Sequence, residues 1–173
     1  MEGEFWFTDL VPGFYDDVRP PTEEEQTLIN GLAATWNDEM LQGLFDVDHW
    51  IDGLSGRDAI VEAIYTPTLN IDGIWAGYTG PGTKTILPHT ATAKIDTHMP
   101  YGQDPDKQLA KIRAHLDAQG YEDIELRMLG GYPAAQTSVD TELVQSMIQV
   151  ANKYGEPPTV NPRIYGSAPF YQF

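Results

Sequence analysis

The sequence predicts an α+β domain, an antiparallel sheet with helices on one face, preceded by an N-terminal helical segment. Three observations predict it. Residues 91–98 alternate strictly, with Ala91, Ala93 and Ile95 on one side and Thr92, Lys94, Asp96 and His98 on the other, the period of a strand in a sheet covered on one face only. Before it, Thr68 to Trp75 is rich in β-branched and aromatic residues, as strands are. Taken along the chain from there, the pattern runs strand, strand, helix, strand, helix, strand, which is that of an α+β domain.

The elements follow in order. Residues 2–18 read as extended, with Phe5, Trp6 and Phe7 near the start and a turn at Leu10-Val11-Pro12-Gly13; so many apolar side chains need burial somewhere. Pro20-Pro21 ends the segment, and Thr22-Glu23-Glu24-Glu25 is a capping box opening a helix. Leu28, Leu32, Trp36 and Met40 give that helix an apolar stripe, while Gly31 and Gly43 leave its end open. A second helix starts near Ser55, carries Ala59, Ile60, Ala63 and Ile64, and stops before Pro67. Between the two central strands, GYTGPG places Gly77, Gly80 and Gly82 around Pro81, a shaped loop. Asp104 caps a third helix with Pro105 at its first position, Leu109, Ile112 and Leu116 on its buried face and Gly120 past its end. Ile124 to Met128 reads as a strand. Val139 to Tyr154 reads as a fourth helix with Leu143, Met147, Ile148 and Ala151 as its stripe, and the segment from Pro157 to Ile164 as an edge strand or extended tail.

Composition bounds the function. A chain of 173 residues suits one domain, which buries roughly 70% of its unfolded surface without needing a metal or disulfide. Cysteine is absent, which removes disulfides and thiolate metal sites. Ten basic residues against 26 acidic ones, a net charge of −16, leave no cationic cluster for nucleic acid. No EF-hand spacing accompanies the acidity. The start, MEGEFWF, has neither the basic beginning nor the apolar run of a signal peptide, and no stretch approaches the ~20 apolar residues of a membrane span. A cytoplasmic protein with no membrane or nucleic-acid partner is expected.

The chemistry-bearing residues are few. His49, His89, His98 and His115 show no metal-ligand spacing. His49 lies among Asp46, Asp48 and Asp52, read as an acidic loop rather than a metal cluster. The sequence has no GxSxG, P-loop or strand-following GxGxxG. No catalytic and no metal-binding residue is assigned.

The strings PTLNIDGI, GYTGPGTKTILP, AKID and GQDP, with PGFYDDVRPPTEEE before them and GSAP after, occur in an order and spacing that resembles the lid, or dimerisation, domain of the M20 family of zinc-dependent amidohydrolases. That family includes dipeptidases, carboxypeptidases and acyl-amino-acid deacylases. The resemblance implies a ferredoxin-like lid that covers an active site, contributes substrate contacts and pairs two subunits. It implies residues 1–18 and 163–173 as connections to a catalytic domain and 19–162 as the lid. It places zinc and the general base in that other domain, with no cofactor in this chain, and makes the chain a lid without its catalytic body. The implied partners are a second copy of the chain, its own catalytic domain and a small amide or peptide substrate.

Residue by residue, the resemblance implies that Thr85, in KTILP, hydrogen-bonds a substrate carboxylate, and that Gly166 and Ser167, in GSAP, lie near the same group. His98 stands where many relatives carry arginine, a departure that bears on the usual peptide-type substrate. Read without the resemblance, Thr85 is an ordinary strand threonine and Ser167 a helix cap. Two other functions compete: a stand-alone ferredoxin-like module binding a small ligand or a protein through its open sheet face, and a small enzyme using Asp96 and His98 as an acid–base pair.

Overall fold

The structure is a computed structural model that describes residues 11–155 and 157–172. The aromatic cluster Phe5, Trp6 and Phe7, with Leu10, lies outside the described residues. The described residues begin with a turn in which Phe14 is fully buried and Val11 is buried as well. Two glutamines from far along the sequence hold this turn. Gln103 and Gln108 both donate to the Phe14 carbonyl, at 2.8 and 3.0 Å, and Gln103 also donates to that of Asp16.

Helix α1 spans Glu23–Ala33 and begins with the expected capping box: Thr22 Oγ1 accepts from the Glu25 amide, and the Glu25 carboxylate accepts from that of Thr22. The anticipated stripe does not continue to Met40 on one helix. The chain turns at 34–37, Asn37 caps a new helix, α2, over Asp38–Phe45, and Met40 is 62% exposed. Asn37 at this point offers an N-cap oxygen that competes with helix continuation. Helix α3 covers Gly56–Tyr65. Its Ile60, Ile64 and Tyr65 meet Ile29 of α1 to form the core, with Leu32, Trp36 and Val61 around it. The Asp38 carboxylate ties these helices: one oxygen accepts the indole N–H groups of Trp36 and Trp50, the other the Gly56 amide at 2.8 Å.

Strands β1 (Thr68–Ala76) and β2 (Ala91–His98) pair antiparallel. The register shifts between Ile71 and Gly73, so Asp72 is the extra residue of a bulge. Ile71 and Ile74 are three apart, which would put them on opposite faces of a regular strand. The bulge restores them to one face, opposite Ile95 and Ala93 respectively. One face of the hairpin therefore carries Leu69, Ile71, Ile74, Ala91, Ala93 and Ile95, and the other Asn70, Trp75, Thr92, Lys94, Asp96 and His98. The alternation read in 91–98 holds. The apolar face is nevertheless open: Ile71, Ile74 and Ile95 are 43, 73 and 46% exposed.

Helix α4 (Pro105–Ala118) starts as expected, with the Asp104 side chain accepting from the Lys107 amide and Pro105 in the first turn. Helix α5 covers Glu142–Tyr154. Its expected stripe is corrected in part, since Ile148 and Ala151 are half-buried while Leu143 and Met147 are 70 and 63% exposed.

The α+β class holds, but the sheet among the described residues has two strands. Ile124–Met128, expected as a strand, is irregular. Arg113 reaches across to the carbonyls of Tyr121 and Ile124 at 2.8 and 2.5 Å, the second at the first residue of this segment, where a neighbouring strand would otherwise bond. The segment 157–164 is irregular as well. Pro157, Pro158 and Pro162 have no amide to donate to a ladder, and Arg163 is drawn to helix α1 by charge.

Candidate functional site

Thr85 lies in the irregular segment 77–90 joining β1 to β2, exposed to solvent. Tyr78 shapes this segment. Its hydroxyl donates to the Pro81 carbonyl at 3.0 Å, and a Cβ on Gly80 would stand 2.5 Å from that hydroxyl oxygen, so the ring lies closely over Gly80 and a larger residue there would displace it. Lys84 Nζ sits 5.5 Å from the Tyr78 ring centre, within cation–π range. Behind them is a small recess floored by Gly77, Ile86, Pro88 and His89.

His98 is the last residue of β2, half-buried, opposite Thr68 and on the polar face with Lys94 and Asp96. The i, i+2 placement of Asp96 and His98 is as read from the sequence, but the two form no ion pair. Gly166 and Ser167 are exposed, in the irregular segment after Arg163, and Ser167 caps no α-helix. Thr85, His98, Gly166 and Ser167 share no hydrogen bond with one another. His49 and its acidic neighbours likewise do not converge: among the described residues, no three His, Asp or Glu side chains are placed to hold a metal ion.

A charge cluster missed by the sequence reading sits at the base of the C-terminal segment. Glu25, assigned there only to a helix cap, is almost fully buried. It accepts from Arg19 at 2.5 Å and from the Gln136 amide, and Arg163 lies 3.6 Å away. Burial works against its charge, but the hydrogen bonds from Arg19, Gln136 and the Thr22 amide, with the Arg163 charge nearby, lower its pKa to about 2. The guanidinium of Arg163 stacks 4.0 Å above the Tyr65 ring, and Tyr101 flanks both arginines. Burial pushes the Tyr65 hydroxyl up to about 12; Arg163 opposes the shift and Glu25 adds to it. One signal for this cluster was in the sequence. In a chain with ten cations against 26 anions, each arginine between prolines and aromatics is a candidate for a buried pair.

The chain matches the family model described as "Peptidase dimerisation domain" (M20_dimer) over residues 19–124. It is 24% identical over 159 residues to mouse Beta-Ala-His dipeptidase, covering 88% of this chain and 31% of that protein. To the human Beta-Ala-His dipeptidase it is 30% identical over 110 residues, 62% of this chain and 21% of that protein. Among solved structures it resembles an M20 family metallo-carboxypeptidase, Sso-CP2, from Sulfolobus solfataricus, with a TM-score of 0.76 and 34% identity over 93% of this chain and 36% of the other. Human carnosine dipeptidase 1 superposes with a TM-score of 0.69 at 23% identity, over 94% of this chain and 35% of that one, a likeness of fold. The chain thus spans about a third or less of the length of these relatives.

Proposed function

This chain belongs to the M20 peptidase dimerisation domain family, and from that premise we propose that it is the lid and pairing domain of a zinc-dependent amide-bond hydrolase. The family match over 19–124 carries this reading. It spans the β1–β2 hairpin, and it includes the shaped 77–90 loop with Thr85. In this reading the hairpin's polar face turns towards the active site. The Thr85 hydroxyl donates to the terminal carboxylate of a small peptide or acylated amino acid, with Ser167 Oγ and the Gly166 amide beside it. In this reading the zinc is held by the remainder of the enzyme, since no three His, Asp or Glu side chains among the described residues are placed to hold a metal ion. The work of this chain is to bind, orient and exclude water.

His98 sets the preference. Arginine offers a planar, permanently charged fork suited to two bonds with a carboxylate, whereas an imidazole presents one nitrogen in a given direction. The substrate end at this site is then neutral, bulky or aromatic rather than a second free carboxylate. The test is made on the complete polypeptide that carries this domain. We expect zinc-dependent cleavage of small amides, and His98→Arg should raise kcat/KM for free dipeptides relative to blocked amides roughly tenfold, as one charge-assisted hydrogen bond gained would do. A folded variant with an unchanged ratio removes His98 as a determinant. A complete polypeptide with no hydrolase activity on dipeptides or N-acyl amino acids removes the function.

A further inference from the structure

We infer that Arg163 is a positioning residue, pinning the chain just ahead of Gly166 and Ser167 onto Glu25 and Tyr65 and so fixing where those two residues stand over the substrate. The inference rests on the reading of Gly166 and Ser167 as substrate contacts.

Although Arg163 lies near the chain's end, its side chain is only 7% exposed. Its guanidinium is 3.6 Å from the Glu25 carboxylate, 4.0 Å over the Tyr65 ring and 5.9 Å from the Tyr101 ring. None of its three nitrogens has a hydrogen-bond acceptor. Glu25 does not need it, being held already by Arg19, Gln136 and the Thr22 amide. A buried guanidinium lacking hydrogen bonds is a costly way to fill space, and an apolar side chain of similar length would stabilise the fold as well or better. What an arginine adds is direction: attraction to one carboxylate and to one ring face, satisfied together in a single placement.

Its surroundings turn that placement into control of the segment. Pro162 beside it is buried and fixes the backbone φ where the chain enters. The cluster draws on chain-distant pieces, since Arg19, Glu25, Tyr65, Tyr101 and Gln136 all contribute. Four residues further on is Ser167, exposed and without a tie of its own. Four extended residues reach at most about 14 Å, so the anchor at Arg163 limits where Ser167 can go.

The chain has no cysteine, so two nitroxide labels can be placed cleanly, replacing Ser167 and Thr92 by cysteine, the latter on the polar face of β2. The 173-residue chain should give one narrow distance. Arg163→Met should broaden the distribution at least twofold, and Arg163→Lys, which keeps the charge without the planar fork, should recover part of it. A second label pair replacing Gln26 and Ala63, on α1 and α3, should stay unchanged, which separates a freed segment from an unfolded domain. In the complete polypeptide, Arg163→Met should raise KM about tenfold with kcat within twofold, and adding Ser167→Ala should cost nothing further. An unchanged 92–167 distribution in Arg163→Met overturns the inference, and so does a double variant whose two losses multiply as independent effects do. If Ser167→Ala alone leaves KM unchanged, the reading of Ser167 as a substrate contact fails, while the label distances still decide whether Arg163 holds the segment.

Discussion

Glu25 serves two structures at once, and the hydrogen bonds of both lower its pKa. One oxygen closes the cap of α1 onto the Thr22 amide, and the other receives Arg19 and Gln136. A carboxyl at about 2 in the folded chain, against 4.5 as its ordinary value, favours folding wherever the group is ionised in both states. That contribution is complete above pH 4.5 and is lost as the pH falls towards 2, on the order of 2 kcal/mol between pH 7 and pH 3. Denaturant unfolding should therefore show wild type losing about 2 kcal/mol more than Glu25→Gln over that interval. Equal losses in the two proteins would place the acid sensitivity in other carboxylates. The sequence revealed half of this residue. A capping box is written in four consecutive letters, whereas the pairing with Arg19, Gln136 and Arg163 depends on chain pieces up to 138 positions apart meeting in space. Thr85, His98, Gly166 and Ser167 were legible only through the resemblance, because a threonine, a histidine and a glycine-serine pair carry no local signature of binding.

Elements were legible in proportion to how local their causes are. Helix α4 illustrates the favourable case, and the GQDP string explains it. Gly102 holds φ at +110°, Gln103 grips the Phe14 and Asp16 carbonyls, Asp104 caps the helix and Pro105 starts it. The expected strand at 124–128 illustrates the other. Its composition is right, but a strand exists only where a second chain segment offers matching amides and carbonyls, and here the Ile124 carbonyl at its start is taken by Arg113 instead. Composition cannot report that competition. The hairpin bulge at Asp72 was hidden for a similar reason, since it is the partner strand that defines the register. Two glycines test this reading of the elements in opposite directions. A Cβ at Gly102 would stand 2.6 Å from the Asp17 carbonyl oxygen at a φ that side chains avoid, so Gly102→Ala should destabilise by about 1–3 kcal/mol. Gly43, inside α2 with nothing within 4 Å, should gain about 0.5–1 kcal/mol on the same change. Unfolding midpoints of the two variants check both signs, and a neutral Gly102→Ala would mean that the turn at 11–17 does not press against that glycine.

At the scale of the molecule, the uncovered apolar surfaces among the described residues include the hairpin face with Ile71, Ile74 and Ile95, and the α5 flank with Leu143, Met147, Val150 and Tyr154. Both edges of a two-stranded sheet also offer unpaired backbone groups. A chain carrying −16 charges repels its own copies, so charge and apolar surface pull in opposite directions and ionic strength decides between them. If pairing is apolar and through the hairpin, salt screens the repulsion without touching the attraction. Sedimentation of the 173-residue chain should then show dimer at high micromolar concentration, with tighter association at 0.5 M than at 0.05 M salt. An interface of standard size buries about 1,600 Å² in total, enough to place the hairpin face near its centre. Replacing Ile74 and Ile95 together by lysine should weaken the dimer at least tenfold, even though it lowers the net negative charge and thus the repulsion. Monomer alone at every concentration and salt would remove pairing as a property of this domain by itself. A dimer that tightens at low salt, or that survives the double lysine variant, would move the interface away from the hairpin face.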